Sequence, residues 1–197
     1  MDTLASLTVA DLLDALASKS PAPGGGAVAG LVGAQSAALA RMVVSYSLGR
    51  KSLADHQDEL ESIAAQLDNA RGVMLALADA DADAYASLSA LWGSQSEKPA
   101  EFQSAVRRAI HVPRSVMAAA TDLLRLCEKL SPISNPNLRS DLVAAAVLAH
   151  AAAETASLNI GVNAPQLSDN DERSRVLTDR DASRATALQL RDRVATP

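Results

Sequence analysis

Apolar positions along the chain recur at helical spacing. Thr8 precedes Val9, Leu12, Leu13 and Leu16, which predicts a short N-capped helix with one apolar stripe. Ser20-Pro21-Ala22-Pro23 ends it, because two prolines remove backbone donors and bar helical continuation. Gly24-Gly25-Gly26 then opens a second helical pattern reaching about Ser47, and Gly49-Arg50-Lys51 breaks it. From about Ala54 to Leu91, the positions Leu60, Ile63, Ala64, Leu67, Ala70, Met74, Leu77 and Ala78 keep the period of one long helix. Gly93 through Pro99 reads as a loop. A further helix is expected from about Pro99 to Leu130, kinked or interrupted at Pro113.

Ser131 through Asn137 reads as a rigid polar loop, after which Ser140 is the expected cap of the next helix. That helix carries Leu142, Val143, Ala146, Val147 and Ala149, and a helix apolar on all sides is central. Pro165 ends it near Asn163. Ser168 or Asp169 starts a last helix, from about Asp171 to Val194, whose Asp179, Arg180, Asp181 and Arg184 mark a solvated face. No β alternation and no internal repeat is visible. The pattern predicts an all-α, multihelical bundle of about six helices, with residues 1–197 forming one domain.

Composition agrees with that pattern. Hydrophobic residues make up 48% of the chain but aromatic ones only 2%, so the apolar content rests on Ala, Leu and Val. Such a mix starves a β-sandwich and favours close-packed helices. Scarce rings and a net charge of −5 leave neither stacking platforms nor a basic excess, so nucleic acid is not an expected partner. The single Cys127 rules out an intramolecular disulfide and a cysteine zinc cage, and reads as a core residue. Met1-Asp2 opens no secretory signal, so a cytoplasmic location is expected. Ala22 to Ala40 is uncharged for about the length of a bilayer span, but Ala, Gly, Gln35 and Ser36 make it a weak one, and no membrane partner is expected.

Candidate chemistry gathers in three places. The segment Pro23-Gly24-Gly25-Gly26 leaves bare N–H groups at a helix N-terminus, suited to a carboxylate, a phosphate or a developing oxyanion. Gly26, Gly30 and Gly33 share one helix face, so close packing explains them equally well. Asp79, Asp81 and Asp83 alternate around their helix, and Asp81 lies one turn from Tyr85, where a partly buried carboxylate suits proton transfer. Asp141 stands in a first helical turn, where an acid also simply complements the dipole. His56 and His111 look exposed and His150 reads as a core or interface residue; none has the short-spaced partner of a metal site, so no metal is expected.

Several segments together resemble the cyclodeaminase/cyclohydrolase family. These are Ser20 to Gly30, Leu39-Ala40-Arg41-Met42-Val43, the Gly49-Arg50-Lys51 break, Asp81-Ala82-Asp83-Ala84-Tyr85, Val112-Pro113, Asn135 to Asp141, and Asn159-Ile160-Gly161-Val162-Asn163. The resemblance implies a multihelical homodimer acting on the one-carbon bridge of tetrahydrofolate, with no bound cofactor. It implies Asp81 and Asp141 as candidate catalytic carboxylates. It also implies a folate substrate held by Pro23, Gly24, Gly25, Gly26, Tyr85, Asn137 and Ser140, with Lys51 attracting its glutamate tail. The expected reaction is hydrolysis of 5,10-methenyltetrahydrofolate to 10-formyltetrahydrofolate. Ammonia-releasing cyclodeamination of formiminotetrahydrofolate, and a non-catalytic helical interaction module, stand as alternatives.

Overall fold

A computed structural model describes residues 3–93, 95 and 97–196. Met1, Asp2, Ser94, Ser96 and Pro197 lie outside the described residues, and with them part of the loop expected after Gly93 and the start of the chain. Six α-helices follow one another: α1 (Val9–Ala17), α2 (Gly25–Ser45), α3 (Gln57–Ser89), α4 (Pro99–Ile133), α5 (Arg139–Asn163) and α6 (Asn170–Ala195). Short 3-10 turns precede α1, α3 and α5 and join α5 to α6, and the described residues contain no strand. Helices α2, α3, α4 and α5 enclose the core, and α6 lies across α4 and α5.

The core follows from small residues at regular spacing. On α2, Ala27, Ala29, Ala34, Ala37 and Ala40 are buried, as are Ala145, Ala146, Ala149, Ala152, Ala153 and Ala156 on α5. Gly30 lets α3 approach within contact: a Cβ there would stand 2.8 Å from the Met74 carbonyl and 2.9 Å from the Ala78 backbone nitrogen. Gly33 gives the same room to the Met74 thioether. The packing explanation offered for the glycine face therefore holds for these two positions.

Antiparallel register between α2 and α5 is fixed at three heights. Gly25 faces Asn159, Ser36 Oγ donates to the Ala145 carbonyl at 2.8 Å, and Ser47 Oγ accepts from the Asn135 N–H at 2.8 Å. The last two bonds are buried, where an unpaired polar group is costly, so they specify this pairing. Helix α6 is held by exposed ion pairs, Arg107–Glu172, Arg114–Asp179 and Arg193–Glu128 among them. Each contributes little alone.

Three expectations are corrected. Pro113 neither interrupts α4 nor ends it. Proline lacks the N–H that would bond the carbonyl four residues back, and the Asn163 side chain donates to that carbonyl, Ala109 O, at 3.0 Å. The orphaned acceptor is thus satisfied from α5. Helix α4 also continues past Leu130 to Ile133, with Pro132 inside its last turn. Ser140 is not a cap: α5 starts at Arg139 with no side-chain cap, Ser140 is exposed within its first turn, and Asn135 caps the 3-10 turn Pro136–Leu138 that leads into it, its side chain accepting from the Asn137 N–H at 3.1 Å. The cap of α6 is Asp169, bonded to the N–H groups of Asp171 and Glu172.

Candidate functional site

Asp81 sits directly over the first turn of α2. A Cβ on Gly26 would fall 2.1 Å from Asp81 Oδ1 and 2.2 Å from Oδ2, so only glycine leaves the carboxyl its place. Burial raises the Asp81 carboxyl above its ordinary 3.8, and the Ala27 N–H opposes the shift by stabilising the charged form. The group is therefore a carboxyl that takes up a proton more readily than a solvated one, placed against the positive end of a 21-residue helix. Its neighbour Asp79 does another task, accepting from the Leu4 N–H at 2.8 Å and tying the N-terminal segment to α3. Asp83 is exposed, as expected for a solvated acid.

Around Asp81 stand other residues singled out in the sequence. Pro23 is half-buried after a cis Ala22–Pro23 bond, and Gly24 and Gly25 are exposed. Tyr85, one turn on, is partly exposed and packs edge-to-face with Trp92 at a centroid separation of 6.5 Å. Asn159 was part of a motif but not of the expected site. Its carboxamide faces Gly25, with Nδ2 and Oδ1 3.8 and 3.9 Å from where a Cβ would be. A polar amide within an otherwise small and apolar helix was the signal for it.

Asn137, Ser140, Asp141 and Lys51 form a second group, at the far end of α2. The Asn135 side chain donates to the Tyr46 carbonyl at 3.4 Å, which brings the loop before α5 to the end of α2 that runs into Arg50 and Lys51. Asn137, Ser140 and Lys51 are exposed there, and Asp141 is half-buried in the first turn of α5. A helix as long as α2 spans about 30 Å, so one chain does not bring Asp81 and Asp141 together. The structure gathers the candidate residues into two clusters.

Two surface grooves lie away from both clusters. One groove of about 440 Å³ lies between α4, α5 and α6 against His111, Arg114, Asp179 and Arg180, and another of about 650 Å³ against His150, Glu154 and Arg184. Both are rimmed by paired charges, Arg114–Asp179 and Arg184–Glu154. His150 is held below its ordinary value mainly by burial and next by the Arg191 charge, while His111 is exposed and His56 half-buried. Among the described residues no group of three His, Cys, Asp or Glu side chains is placed to hold a metal. Cys127 is buried, with its thiol pushed up to about 12. Helices α2 and the α5 region are long and apolar enough to cross a membrane, yet over half of the α2 window is buried within the bundle.

Comparison with known proteins agrees with this architecture. A family model described as formiminotransferase-cyclodeaminase matches residues 8–182. Methenyltetrahydrofolate cyclohydrolase of Methylorubrum extorquens is 28% identical, covering 95% of this chain and 93% of that protein. Formimidoyltransferase-cyclodeaminase of Rattus norvegicus is 30% identical over 77% of this chain, which spans only 29% of that longer protein. The crystal structure of a formiminotetrahydrofolate cyclodeaminase from Thermotoga maritima superposes with a TM-score of 0.91 at 32% identity, covering 97% of this chain and 95% of the other. With a family model matched over most of its length and the fold reproduced end to end, the chain belongs to the formiminotransferase-cyclodeaminase family.

Proposed function

We propose that this chain is a folate one-carbon enzyme that hydrolyses 5,10-methenyltetrahydrofolate to 10-formyltetrahydrofolate. The observation that carries the reading is the Asp81 carboxyl, raised by burial and seated over the glycine-opened start of α2. Water adds to the amidinium carbon between N5 and N10, and Asp81 takes the proton that water loses. As the C–N5 bond breaks, that proton passes to N5 while the hydroxyl of the adduct gives its own proton to solvent and becomes the carbonyl, leaving the formyl group on N10. A carboxyl whose affinity for protons lies above the ordinary range suits both halves of that transfer. The N–H groups at the α2 terminus are placed to face the oxygen that develops charge. The cytoplasm is the expected setting and no bound cofactor is invoked.

The end-to-end match with the cyclohydrolase of Methylorubrum extorquens supports this reaction. The Thermotoga maritima likeness supports the ammonia-releasing alternative, in which N10 closes on a formimino carbon. Two assays separate them: loss of methenyltetrahydrofolate absorbance, and ammonia release from formiminotetrahydrofolate. Acceleration of the first alone fits the hydrolase, and acceleration of the second alone replaces it with the deaminase. Neither being faster than buffer leaves a binding module.

The same reading includes a homodimer. Helices α2 and α5 leave one face open along their length: Val147, Leu158 and Val162 are exposed, and Leu31, Val32, Leu39 and Met42 are only half-buried. A second copy related by a two-fold axis across these antiparallel helices sets the Asp81 end of one chain over the Asp141 end of the other. Each dimer then carries two composite sites, with Asn137, Ser140 and Asp141 supplied by the partner copy.

A further inference from the structure

The segment from Leu4 to Gly24 leaves and rejoins the bundle at one place. Its start is tied by the Leu4 N–H to Asp79, and its end runs into Gly26 beneath Asp81, so both anchors lie on α3 two residues apart. Helix α1 projects between these anchors, its N-terminus closed by Thr8, which accepts from the Asp11 N–H and donates to the Asp11 carboxylate. The helix has nine residues and none of them is buried. Val9 is 74% and Leu13 58% exposed, while Leu12 and Leu16 are half-covered. Isolated helices shorter than about 12 residues are marginal in water and draw their stability from packing an apolar face. This chain supplies α1 with very little of that packing.

We propose that α1 is an exchanged arm, whose Val9–Leu12–Leu13–Leu16 stripe seats on a second copy at the end of α2 that carries Tyr46, Arg50 and Lys51. The proposal rests on the dimer reading above, which sets the glycine end of one chain beside that end of its partner. Charge complementarity selects the seat. Within α1 the only charges are Asp11 and Asp14, whereas the turn after α2 presents Arg50 and Lys51. Among the described residues neither Asp14 nor Lys51 has an ion-pair partner, and the Nε of Arg50 is buried without an acceptor. Tyr46 is 62% exposed on the same end, an apolar ring left for the stripe to cover. Seated there, the arm closes over the junction where Asp81 meets the partner's Asp141 cluster.

A zero-length carbodiimide, which joins a carboxylate directly to an amine, tests this on the unaltered chain. Within one chain the α1 segment is anchored at the glycine end of α2 and Lys51 follows its other end, about 30 Å away, so a bond between Asp14 and Lys51 joins two copies. The expected product is a dimeric band on a denaturing gel containing the Asp11 or Asp14 peptide coupled to the Lys51 peptide. Leu13→Glu should abolish that product and raise the dimer dissociation constant at least tenfold in sedimentation, with helical circular dichroism retained. A dimer with no such cross-link, and with its dissociation constant unmoved by Leu13→Glu, overturns the arm and leaves the dimer standing. A monomeric wild-type chain overturns both. Pelleting with phosphatidylglycerol vesicles, lost in Leu13→Glu, would hand the stripe to a membrane and overturn the arm as well. The methenyl and ammonia assays run separately, so failure of the chemistry is distinguishable from failure of the arm.

Discussion

Replacing Gly26 by alanine strikes the tightest contact of the proposed site. The new methyl would stand 2.2 Å from Asp81 Cγ, far inside the roughly 3.5 Å at which carbon atoms first pack without repulsion. Asp81 ends in a carboxyl on a short, rotatable side chain, so it swings out and α2 and α3 hold their spacing. The swing forfeits the Ala27 N–H, a loss comparable to removing a helix cap, about 1 kcal/mol. In a chain of this size that corresponds to a Tm decrease of about 2–4 °C. The same movement takes the proton-transfer group off the reacting atoms, and a general acid-base group contributes about 10²–10⁴-fold in rate. Gly26→Ala should therefore lose catalysis out of proportion to stability. Initial rates of methenyltetrahydrofolate loss and a thermal melt on one preparation measure both. Gly72→Ala is the control: it is exposed within α3 and nothing lies within 4 Å of its Cβ, so it should keep activity and gain about 0.5–1 kcal/mol of stability. If folded Gly26→Ala keeps more than about a third of kcat/KM, Asp81 over the glycine turn is not the catalytic group.

Three further outcomes follow from the same geometry. Because burial raises the Asp81 carboxyl above 3.8, its charged form costs stability; that cost is absent below 3.8 and grows as pH climbs through the raised value. Asp81→Asn should thus be more stable than the wild type at alkaline pH, with the gap closing in acid. Denaturant midpoints across pH check this, and a gap independent of pH would sink it. Asn163→Ala strips the Ala109 carbonyl of its side-chain donor opposite Pro113 and should cost about 1–3 kcal/mol in urea unfolding without altering KM; an unmoved urea midpoint refutes the bridging role. In the proposed dimer, Asp81→Asn and Asp141→Asn should each lose activity alone, and their co-expression should recover about a quarter of the wild-type level, since half the dimers would be mixed and each would carry one intact composite site. No recovery would place both acids in separate sites.

What the sequence made legible was decided by local rules. Periodicity alone located six helices, because small and branched apolar residues at spacing 3–4 have no stable alternative to burying one face. Thr8 and Asp169 were readable as caps for the same local reason. The misreadings came from partners distant in sequence. Pro113 breaks a helix in isolation, and only Asn163, 54 residues on, makes it tolerable. Ser140 has the chemistry of a cap, but Asn135-Pro136 begins its turn sooner and takes the task. At the site, the glycines and Asp81 were singled out separately, and their contact appears only once α2 lies against α3. Asn159 escaped because the helix that carries it read as core.

Scarce rings and abundant alanine also bear on where a folate can bind. Helices lined by Gly30, Gly33, Ala78 and Ala149 pack so closely that the core holds side chains and backbone in contact, with Met74 filling the space left by Gly33. A pterin therefore has to be met at the ends of the bundle, where Gly24–Gly26 and Asp81 stand at one end and Asn137–Asp141 at the other. Half a site at each end of α2, about 30 Å apart, is what a two-fold pair of chains with their α2 helices antiparallel would use twice. The same closeness explains why the open α2–α5 face and the unburied stripe of α1 belong to one argument. Small residues use up little apolar surface inside the monomer, and what is left over lies on the face where the proposed second copy would complete the chemistry.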